Sequence, residues 1–336
     1  MSKLATAWYT RAIWPLLLWP LSVLFRVTVA LRKAALGAGR RGPPASKPVV
    51  VIGNISVGGT GKTPLLMALI EALGARGYRV GVISRGYGGR SPDYPRTVSK
   101  EDDAAEVGDE PLLIATACGC PVVVDPRRSR ALGKLLAEHE VDVVLSDDGL
   151  QHYRLYRDLE IAVVDSVRLF GNRQCLPAGP LREPVKRLTE VEAIVVNGAL
   201  AEPTPELEGA FPMRLQPSFL LNLLTGEQRH LQESPFPPGG TIQAVAGIGH
   251  PQRFYQLLEQ ALGPVRAFSF PDHHQFSRQG LVSAGVDLQQ PIVMTEKDGI
   301  KCRSFAEANW WVLHVAVSVP VALPEIIINH LQNKRV

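Results

Sequence analysis

The sequence is poor in cysteine, and this excludes small proteins held together by disulfides or by a structural zinc ion. Its 336 residues include four cysteines: Cys118 and Cys120 form a C-x-C, while Cys175 and Cys302 stand alone. No second pair stands at the spacing of zinc ligands, and the four do not form a paired framework. We therefore expect reduced, buried thiols in a cytoplasmic protein.

Strong charge of either sign is also absent. The formal net charge is +4 and the isoelectric point is about 8.9, too mild a basicity to indicate a nucleic-acid partner but compatible with an anionic membrane surface. Apolar residues make up 46% and charged residues 20%, a balance typical of a folded globular enzyme. The length suffices for one large or two ordinary domains.

Long hydrophobic runs are missing as well, except near the N-terminus, where residues 12–25 carry no charge. This run is shorter than the ~20 residues that cross a bilayer, and no signal-peptide cleavage site follows it. Trp8, Trp14 and Trp19 lie on or beside it, and the basic residues around it are Arg11, Arg26, Arg32, Lys33, Arg40 and Arg41. Tryptophans and cations are typical of a helix at the membrane interface.

We therefore expect residues 1–36 to form a membrane helix that is peripheral or shallowly inserted, with the rest of the chain on the cytoplasmic side of the membrane. A helix that packs on its own domain, or a single span that tolerates Arg26, remains open.

Beyond a Gly/Pro-rich joint at residues 37–48, short apolar runs alternate with helical patterns. Such alternation predicts an α/β fold with a parallel sheet covered on both faces. Between residues 206 and 240 prolines and glycines become dense and the helical period is lost, which favours antiparallel strands. The sequence therefore predicts a larger α/β lobe at 37–205, a β-ribbon linker at 206–240 and a smaller α/β lobe at 241–336, with a cleft between the lobes.

The strongest motif is a glycine-rich turn that follows one predicted strand and opens a helix. Its glycines let backbone N–H groups approach phosphate oxygens, Lys62 can reach the β- and γ-phosphates, and Thr63 can bind Mg²⁺. Ser56 stands where the P-loop pattern has its first glycine. The residues predicted to bind ATP are Ser56, Val57, Gly58, Gly59, Thr60, Gly61, Lys62 and Thr63.

A P-loop also needs an acidic residue at the end of a neighbouring strand to hold the metal ion. Asp147 and Asp148 follow the apolar run at residues 141–145 and supply it. A solvated Asp-Asp-Gly turn is the alternative.

Three classes of P-loop protein compete at this point. Membrane-associated ATPase switches carry a signature lysine just ahead of the glycine pair, where this chain has Val57. GTPases carry an N/T-K-x-D stretch, which residues 295–298 (TEKD) imitate, but these lie more than two hundred residues from the P-loop in the other predicted lobe. A small-molecule kinase remains, and it needs an acceptor site and a base.

Several strings along almost the whole chain resemble one family, the tetraacyldisaccharide 4'-kinases of lipid A biosynthesis. These strings are VIGNISVGGTGKTP (51–64), SRGYGG (84–89), VGDEP (107–111), SDDGLQH (146–152), PAGPLREP (177–184), GIGHPQRF (247–254), FPDHHQF (270–276) and TEKD (295–298). The resemblance implies transfer of the ATP γ-phosphate to the 4'-hydroxyl of a lipid A disaccharide 1-phosphate, at the cytoplasmic face of the bacterial inner membrane. A membrane-associated P-loop ATPase or GTPase switch is the alternative.

Within that resemblance, Asp109 is the expected base and His273 its partner in a dyad. Asp272 could fix the imidazole tautomer, and His274 is the alternative to His273. From the residues alone, Asp109 could equally cap a helix that begins near Pro111.

The remaining expected site residues surround the phosphates and the metal. Arg182 and Glu183 would bring a guanidinium and a carboxylate near the metal, although a surface ion pair is the alternative. Gln151, His152 and Arg85 are candidates for binding the substrate. Arg127, Arg128 and Arg130 could meet a phosphate or anionic lipid, or could simply form a solvated helix face.

Overall fold

The computed structural model describes residues 3–10, 12–37, 45–236 and 241–333. Arg11, Arg40 and Arg41 of the expected basic flank lie outside the described residues, as does most of the Gly/Pro-rich joint. The end of the expected ribbon at 237–240 also lies outside them.

The described part of the chain alternates strands and helices, as the apolar runs predict. The strands are β1 Val49–Gly53, β2 Val80–Ser84, β3 Arg96–Thr97, β4 Val122–Val124, β5 Val143–Asp147, β6 Leu159–Asp165, β7 Ala193–Asn197, β8 Phe211–Asn222, β9 Gln228–His230, β10 Ile242–Ala246, β11 Val265–Ser269, β12 Ile292–Met294 and β13 Trp310–Ser318. The helices are α1 Lys3–Ala7, α2 Trp19–Leu36, α3 Lys62–Gly74, α4 Ala104–Val107, α5 Asp109–Cys118, α6 Arg128–Glu138, α7 Pro251–Leu262, α8 Arg278–Ser283, α9 Glu296–Cys302 and α10 Ala322–Asn333.

All thirteen strands belong to one sheet, in the order β11-β10-β12-β13-β8-β7-β6-β1-β5-β2-β4-β3, with β9 beside β8. In the first lobe, strands β7, β6, β1, β5, β2 and β4 run parallel to one another, and β3 pairs antiparallel with β4 at the edge. In the second lobe, β11, β10, β12 and β13 run parallel to one another. Every residue of β1, β2 and β5 is buried, as expected for central strands covered by helices on both faces. The predicted α/β class is confirmed.

Strand β8 joins the two halves of the sheet. Its first residues pair in parallel with β7, and the rest pair antiparallel with β13 and β9. The β-ribbon expected in this region is present, and it is part of the continuous sheet. Because the carboxyl ends of parallel strands meet at one edge of a sheet, both lobes present loops to the cleft between them.

The N-terminal region forms a short 3₁₀ helix, Trp14–Leu18, followed by α2. Residues Trp14–Leu36 have a mean hydropathy of 1.6 with 11% of the apolar window buried, and by length and composition they could cross a membrane. The helix is longer than the uncharged run because Arg26 lies within it. Of the residues of α2, all within the described ranges, Ser22 alone is buried.

Ser22 fastens α2 to the first lobe. Its Oγ donates to the Cys175 carbonyl oxygen at 2.8 Å and accepts from the Ala178 backbone N–H at 2.9 Å. The indole N–H of Trp8 donates to the Pro177 carbonyl oxygen at 3.1 Å. The hydrophobic segment therefore touches the loop that leads into Arg182 and Glu183.

Candidate active site

The glycine-rich turn folds as a phosphate-binding loop between β1 and α3. Gly58 and Gly61 have φ of 91° and 95°, the left-handed region that glycine adopts without strain. Asn197, at the end of β7, donates its amide N–H to the Thr60 carbonyl oxygen at 3.0 Å. A Cβ on Gly61 would lie 2.3 Å from that amide nitrogen. The loop is thus held in the shape that points backbone N–H groups at an anion, with the N-terminus of α3 behind it.

The two aspartates lie at the end of β5, the strand next to β1. Asp148 contacts Lys62, with Oδ1 3.5 Å from Nζ, and Arg182, with Oδ2 3.0 Å from Nη1. Burial alone would raise the pKa of Asp148, but Lys62 and Arg182 outweigh it and hold that pKa below its ordinary value. Asp148 therefore stays ionised beside the P-loop lysine.

Asp147 has a different environment from its neighbour. It is 1% exposed, and Ser84 Oγ donates to its Oδ2 at 3.4 Å. Among the described residues, its buried Oδ1 has no hydrogen-bond partner. Burial, with Glu110 and Asp148 nearby, raises the pKa of Asp147 above its ordinary value. A buried carboxylate oxygen without a hydrogen-bond partner fits a divalent cation.

Arg128 corrects one expectation, because this arginine is not on a solvated helix face. It is 3% exposed, and Nη2 donates to the carbonyl oxygens of Asp147 at 2.5 Å and Asp148 at 3.0 Å. Burial lowers the pKa of Arg128 to about 10, so it remains charged at neutral pH. Arg127 and Arg130 are exposed, as expected of a helix face. Sequence reasoning named Arg128 as a candidate for binding a phosphate but did not foresee these contacts, because helical periodicity does not reveal which loop covers the start of a helix.

Gln151 connects the acidic and basic groups on this side of the site. Its amide N–H donates to Glu183 Oε1 at 2.7 Å, and its Oε1 accepts from Arg182 Nη1 at 3.3 Å. Glu183 is 2% exposed and also pairs with Arg187, whose Nε lies 3.3 Å from Oε2. Lys62, Asp148, Arg182, Gln151 and Glu183 thus form one connected chain of contacts.

The expected dyad residues meet across the cleft, although 164 positions separate them in the sequence. His273 Nδ1 lies 3.2 Å from Asp109 Oδ2, and Lys301 Nζ lies 3.5 Å from the same oxygen. Burial alone would raise the pKa of Asp109, which is 1% exposed, but the hydrogen bond from His273 and the charges of Lys301 and Lys297 outweigh it and lower that pKa. Asp109 is therefore an ionised acceptor.

His273 adopts a φ of 60°, unusual for a residue other than glycine, and its ring packs against Tyr87 with centroids 4.8 Å apart. Asp272 does not contact the ring as expected, because its Oδ1 lies 3.8 Å from Nε2, beyond hydrogen-bond distance. Lys297 Nζ lies closer to Nε2, at 3.3 Å. The sequence signal for Lys297 was the TEKD string, which resembles a guanine motif and so pointed to a different chemistry.

A cleft of about 1600 Å³ joins these groups, with walls from both lobes. The expected site residues that line it are Val57, Gly58, Gly59, Thr60, Gly61, Lys62, Thr63, Arg85, Asp147, Asp148, Gln151, His152, Arg182 and His273. Burial lowers the pKa of His152 to about 3, and the charges of Arg128 and Arg85 add to the effect. His152 is therefore neutral at physiological pH. Asp109, Glu183 and Ser56 are buried behind the wall.

Second-lobe residues also approach the phosphate loop. Arg253 Nη1 lies 3.6 Å from Asp165 Oδ2 and donates to the Asn197 carbonyl oxygen at 3.2 Å. A Cβ on Gly249 would lie 3.0 Å from the Gly59 backbone nitrogen. Sequence reasoning identified the GIGHPQRF string only as part of the resemblance, and the structure brings it to the P-loop.

Comparison with known proteins agrees with this arrangement. Residues 14–332 match the family model described as tetraacyldisaccharide-1-P 4'-kinase. The tetraacyldisaccharide 4'-kinase of Pseudomonas aeruginosa is 50% identical over 316 residues, 93% of this chain and 92% of the relative. The tetraacyldisaccharide 4'-kinase of Aeromonas hydrophila is 47% identical over 329 residues, which cover 96% of this chain and 94% of the relative.

Among solved structures, the fold is similar to that of LpxK from Aquifex aeolicus in complex with ATP, with a TM-score of 0.74 and 28% identity over 94% of this chain and 99% of that chain. The family predicted from the sequence is confirmed. Because the family model matches nearly the whole chain and relatives share about half of its residues, the chain belongs to the tetraacyldisaccharide-1-P 4'-kinase family.

Proposed function

We propose that this protein is an ATP-dependent kinase that transfers the γ-phosphate to the 4'-hydroxyl of a lipid A disaccharide 1-phosphate, at the cytoplasmic face of the bacterial inner membrane. One observation carries the proposal: the ionised carboxylate of Asp109 is paired with His273, and that histidine lines the same cleft as the phosphate loop. A switch protein that only hydrolyses nucleotide has no need of a base for an alcohol.

The nucleotide phosphates would lie in the loop from Ser56 to Thr63. Its backbone N–H groups and the N-terminus of α3 bind negative charge, and Lys62 neutralises the charge that shifts toward the β–γ bridge oxygen during transfer. Lys62 is 10% exposed at the wall of the cleft, so little water screens it. Arg182 supplies a second cation beside the same carboxylate, Asp148.

The residues fit a bound Mg²⁺. Asp147 offers its orphaned oxygen, Thr63 offers a hydroxyl that lines the cleft, and Asp148 offers a carboxylate held ionised by Lys62. Glu183 would act through Gln151 and Arg182. When bound, the ion would neutralise phosphate charge. Few protein carboxylates suffice, because Mg²⁺ in such sites keeps water and phosphate ligands.

Asp109 would accept the proton of the 4'-hydroxyl as that oxygen attacks the γ-phosphate. In the structure it is covered by His273 and Lys301, both from the second lobe. A sugar hydroxyl can therefore reach Asp109 only when the second lobe moves away from α5, and His273 would meet Asp109 again when the lobes close over the bound acceptor. We propose that residues 37–205 and 241–336 are the two moving lobes and that residues 206–240 connect them.

The acceptor would enter from the side of α2. Arg85, Gln151, His152 and Arg182 line the cleft, and the loop before Arg182 is the one that Ser22 and Trp8 fasten to the hydrophobic segment. A lipid whose acyl chains stay in the bilayer could thus present its sugar to these groups without transfer through water. Arg85, which is exposed, would meet the 1-phosphate.

The test is an assay with ATP labelled at the γ-phosphate and a lipid disaccharide 1-phosphate in detergent micelles, with the acyl-free disaccharide as a control. We expect label in the lipid fraction, with hydrolysis to inorganic phosphate slow in the absence of acceptor. Hydrolysis at full rate without acceptor, and no labelled lipid with it, would instead establish the switch function. Labelled acyl-free sugar at an equal rate would reject the membrane part of the proposal.

A further inference from the structure

Lys297 belongs to the TEKD string, which neither the nucleotide site nor the proposed base accounts for. It is the second residue of α9, and its side chain is 15% exposed. Thr295 caps the helix by accepting from the Asp298 backbone N–H at 3.2 Å, and Asp298 accepts from Gly247 N–H at 2.9 Å. These contacts fix the start of α9 against the second-lobe sheet and so fix the point from which Lys297 projects.

The ammonium group has three N–H donors and no acceptor, and three acceptors surround it. They are Glu110 Oε1 at 3.1 Å, Asp272 Oδ1 at 3.3 Å and His273 Nε2 at 3.3 Å. Burial would lower the pKa of Lys297, but Glu110, Asp272 and Asp109 outweigh it and raise that pKa above its ordinary value. The lysine is therefore charged, and it can only donate to the imidazole.

This geometry determines which ring nitrogen of His273 carries hydrogen. A nitrogen that faces a donor must present its lone pair, so Nε2 bears no hydrogen while Lys297 is in place. The single ring hydrogen then lies on Nδ1, which faces the ionised Asp109 Oδ2 at 3.2 Å. The other groups facing the ring are Asp272, 3.8 Å from Nε2, and the aromatic ring of Tyr87.

We infer that Lys297 is a positioning residue, which holds His273 in the Nδ1–H tautomer and so keeps a hydrogen bond directed at Asp109. The inference rests on the proposed role of Asp109 as base, because the hydrogen bond matters for catalysis only if that carboxylate reacts. In the opposite tautomer two acceptors, Nδ1 and Oδ2, would face each other at 3.2 Å. The ring or the carboxylate would then turn away.

A structural alternative exists, since Lys297 also joins the lobes through Glu110 of α5. Substitutions can distinguish the orientation of His273 from the contact between the lobes. Lys297→Met removes both the bond to His273 and the pair with Glu110, whereas Glu110→Gln weakens the interlobe pair and leaves the lysine beside the imidazole. Lys297→Arg keeps a cation that can donate to Nε2.

The decisive measurement is the nitrogen chemical shifts of ¹⁵N-histidine-labelled protein in detergent, with His273→Gln used to assign the signals. We expect a hydrogen on Nδ1 and a bare Nε2 in the wild type, in Glu110→Gln and in Lys297→Arg. In Lys297→Met we expect a hydrogen on Nε2 in part of the molecules, because Asp109 still faces Nδ1 but Nε2 no longer faces a donor and can donate to Asp272. Hydrogen on Nε2 of the wild-type protein would overturn the inference without recourse to any variant. So would an unchanged tautomer in a folded Lys297→Met.

Phosphotransfer supplies the second readout. Loss of a group that orients a reacting partner typically costs about 10- to 100-fold, so we expect kcat of Lys297→Met to fall by that factor, with the KM for ATP within about twofold. We expect the kcat of Lys297→Arg to lie between those of the wild type and Lys297→Met, and the kcat of Glu110→Gln to be higher than that of Lys297→Met. If kcat fell equally in Glu110→Gln and Lys297→Met, the role of Lys297 would be the contact between the lobes and not the orientation of His273.

Failure of the proposed function would look different. If Asp109→Asn kept normal phosphotransfer, Asp109 would not be the base, yet the nitrogen shifts would still report whether Lys297 sets the tautomer.

Discussion

The exposed apolar stripe of the N-terminal helix gives the sharpest quantitative test of membrane attachment. Leu17 lies in the 3₁₀ helix that leads into α2, and Leu24 and Leu31 follow it at seven-residue spacing on one face of α2 itself. They are 82%, 62% and 65% exposed. The opposite side carries Ser22, which is hydrogen-bonded to the first lobe. The stripe therefore faces away from the protein.

The magnitude follows from these exposures. Together the three side chains offer about two whole leucines to a bilayer, and burying one leucine is worth roughly 1.5–3 kcal/mol. Replacing all three by serine should therefore weaken partitioning into vesicles by about 3–6 kcal/mol, or roughly 10²- to 10⁴-fold. These substitutions leave the contacts of Ser22 and Trp8 with the first lobe in place, so ATP binding should persist.

The assay is co-flotation with vesicles that contain anionic lipid, at low and high salt, with nucleotide binding measured on the same samples. The matched control replaces Leu224, Val282 and Val321, which are 58%, 56% and 67% exposed on the second lobe, by serine. High salt should weaken wild-type attachment only partly, because the apolar contribution is not screened. Equal flotation of the helix variant and the wild type, or an equal loss in the control, would refute the membrane role of this face.

Three further predictions follow from the site. Lys62→Ala should lower kcat by at least about 10²-fold without changing the thermal unfolding temperature, and a near-normal rate would reject the nucleotide site. Asp109→Asn should lower kcat by about 10²- to 10⁴-fold, and adding His273→Ala should cost little more, whereas additive losses in the double-mutant cycle would contradict the pairing. Burial raises the pKa of Glu296 to about 7, so its stabilising contribution, complete below its ordinary pKa of 4.5, is lost as pH rises through about 7. As pH rises from 4.5 to 8, the unfolding free energy of Glu296→Gln should therefore increase relative to that of the wild type, by at most about 3 kcal/mol. Unfolding curves that stay parallel across this range would show that the carboxyl is not buried in solution.

Local patterns were the part of the fold that the sequence could specify. The P-loop from Gly58 to Lys62, the helix that follows it and the acidic end of β5 were all predicted at their observed positions. Each depends on neighbours within a few residues: glycines adopt positive φ where a turn needs it, and apolar runs of four or five residues form buried strands. The uncharged run near the N-terminus likewise predicted an apolar helix.

Contacts between distant elements needed the tertiary structure. Asp109 and His273 could be paired from the sequence only through the family resemblance, and nothing local indicated that Lys297 donates to that histidine or that Arg128 is buried beneath the aspartates. The TEKD string was even misleading by itself, since it resembles the N/T-K-x-D stretch of a guanine site, although its lysine stands one position later. Sequence periodicity reports which face of an element is apolar, but strand order decides which elements meet. Here β8 joins the two parallel halves into one sheet, and that connection brings the start of α9 to face the start of α5 across the cleft.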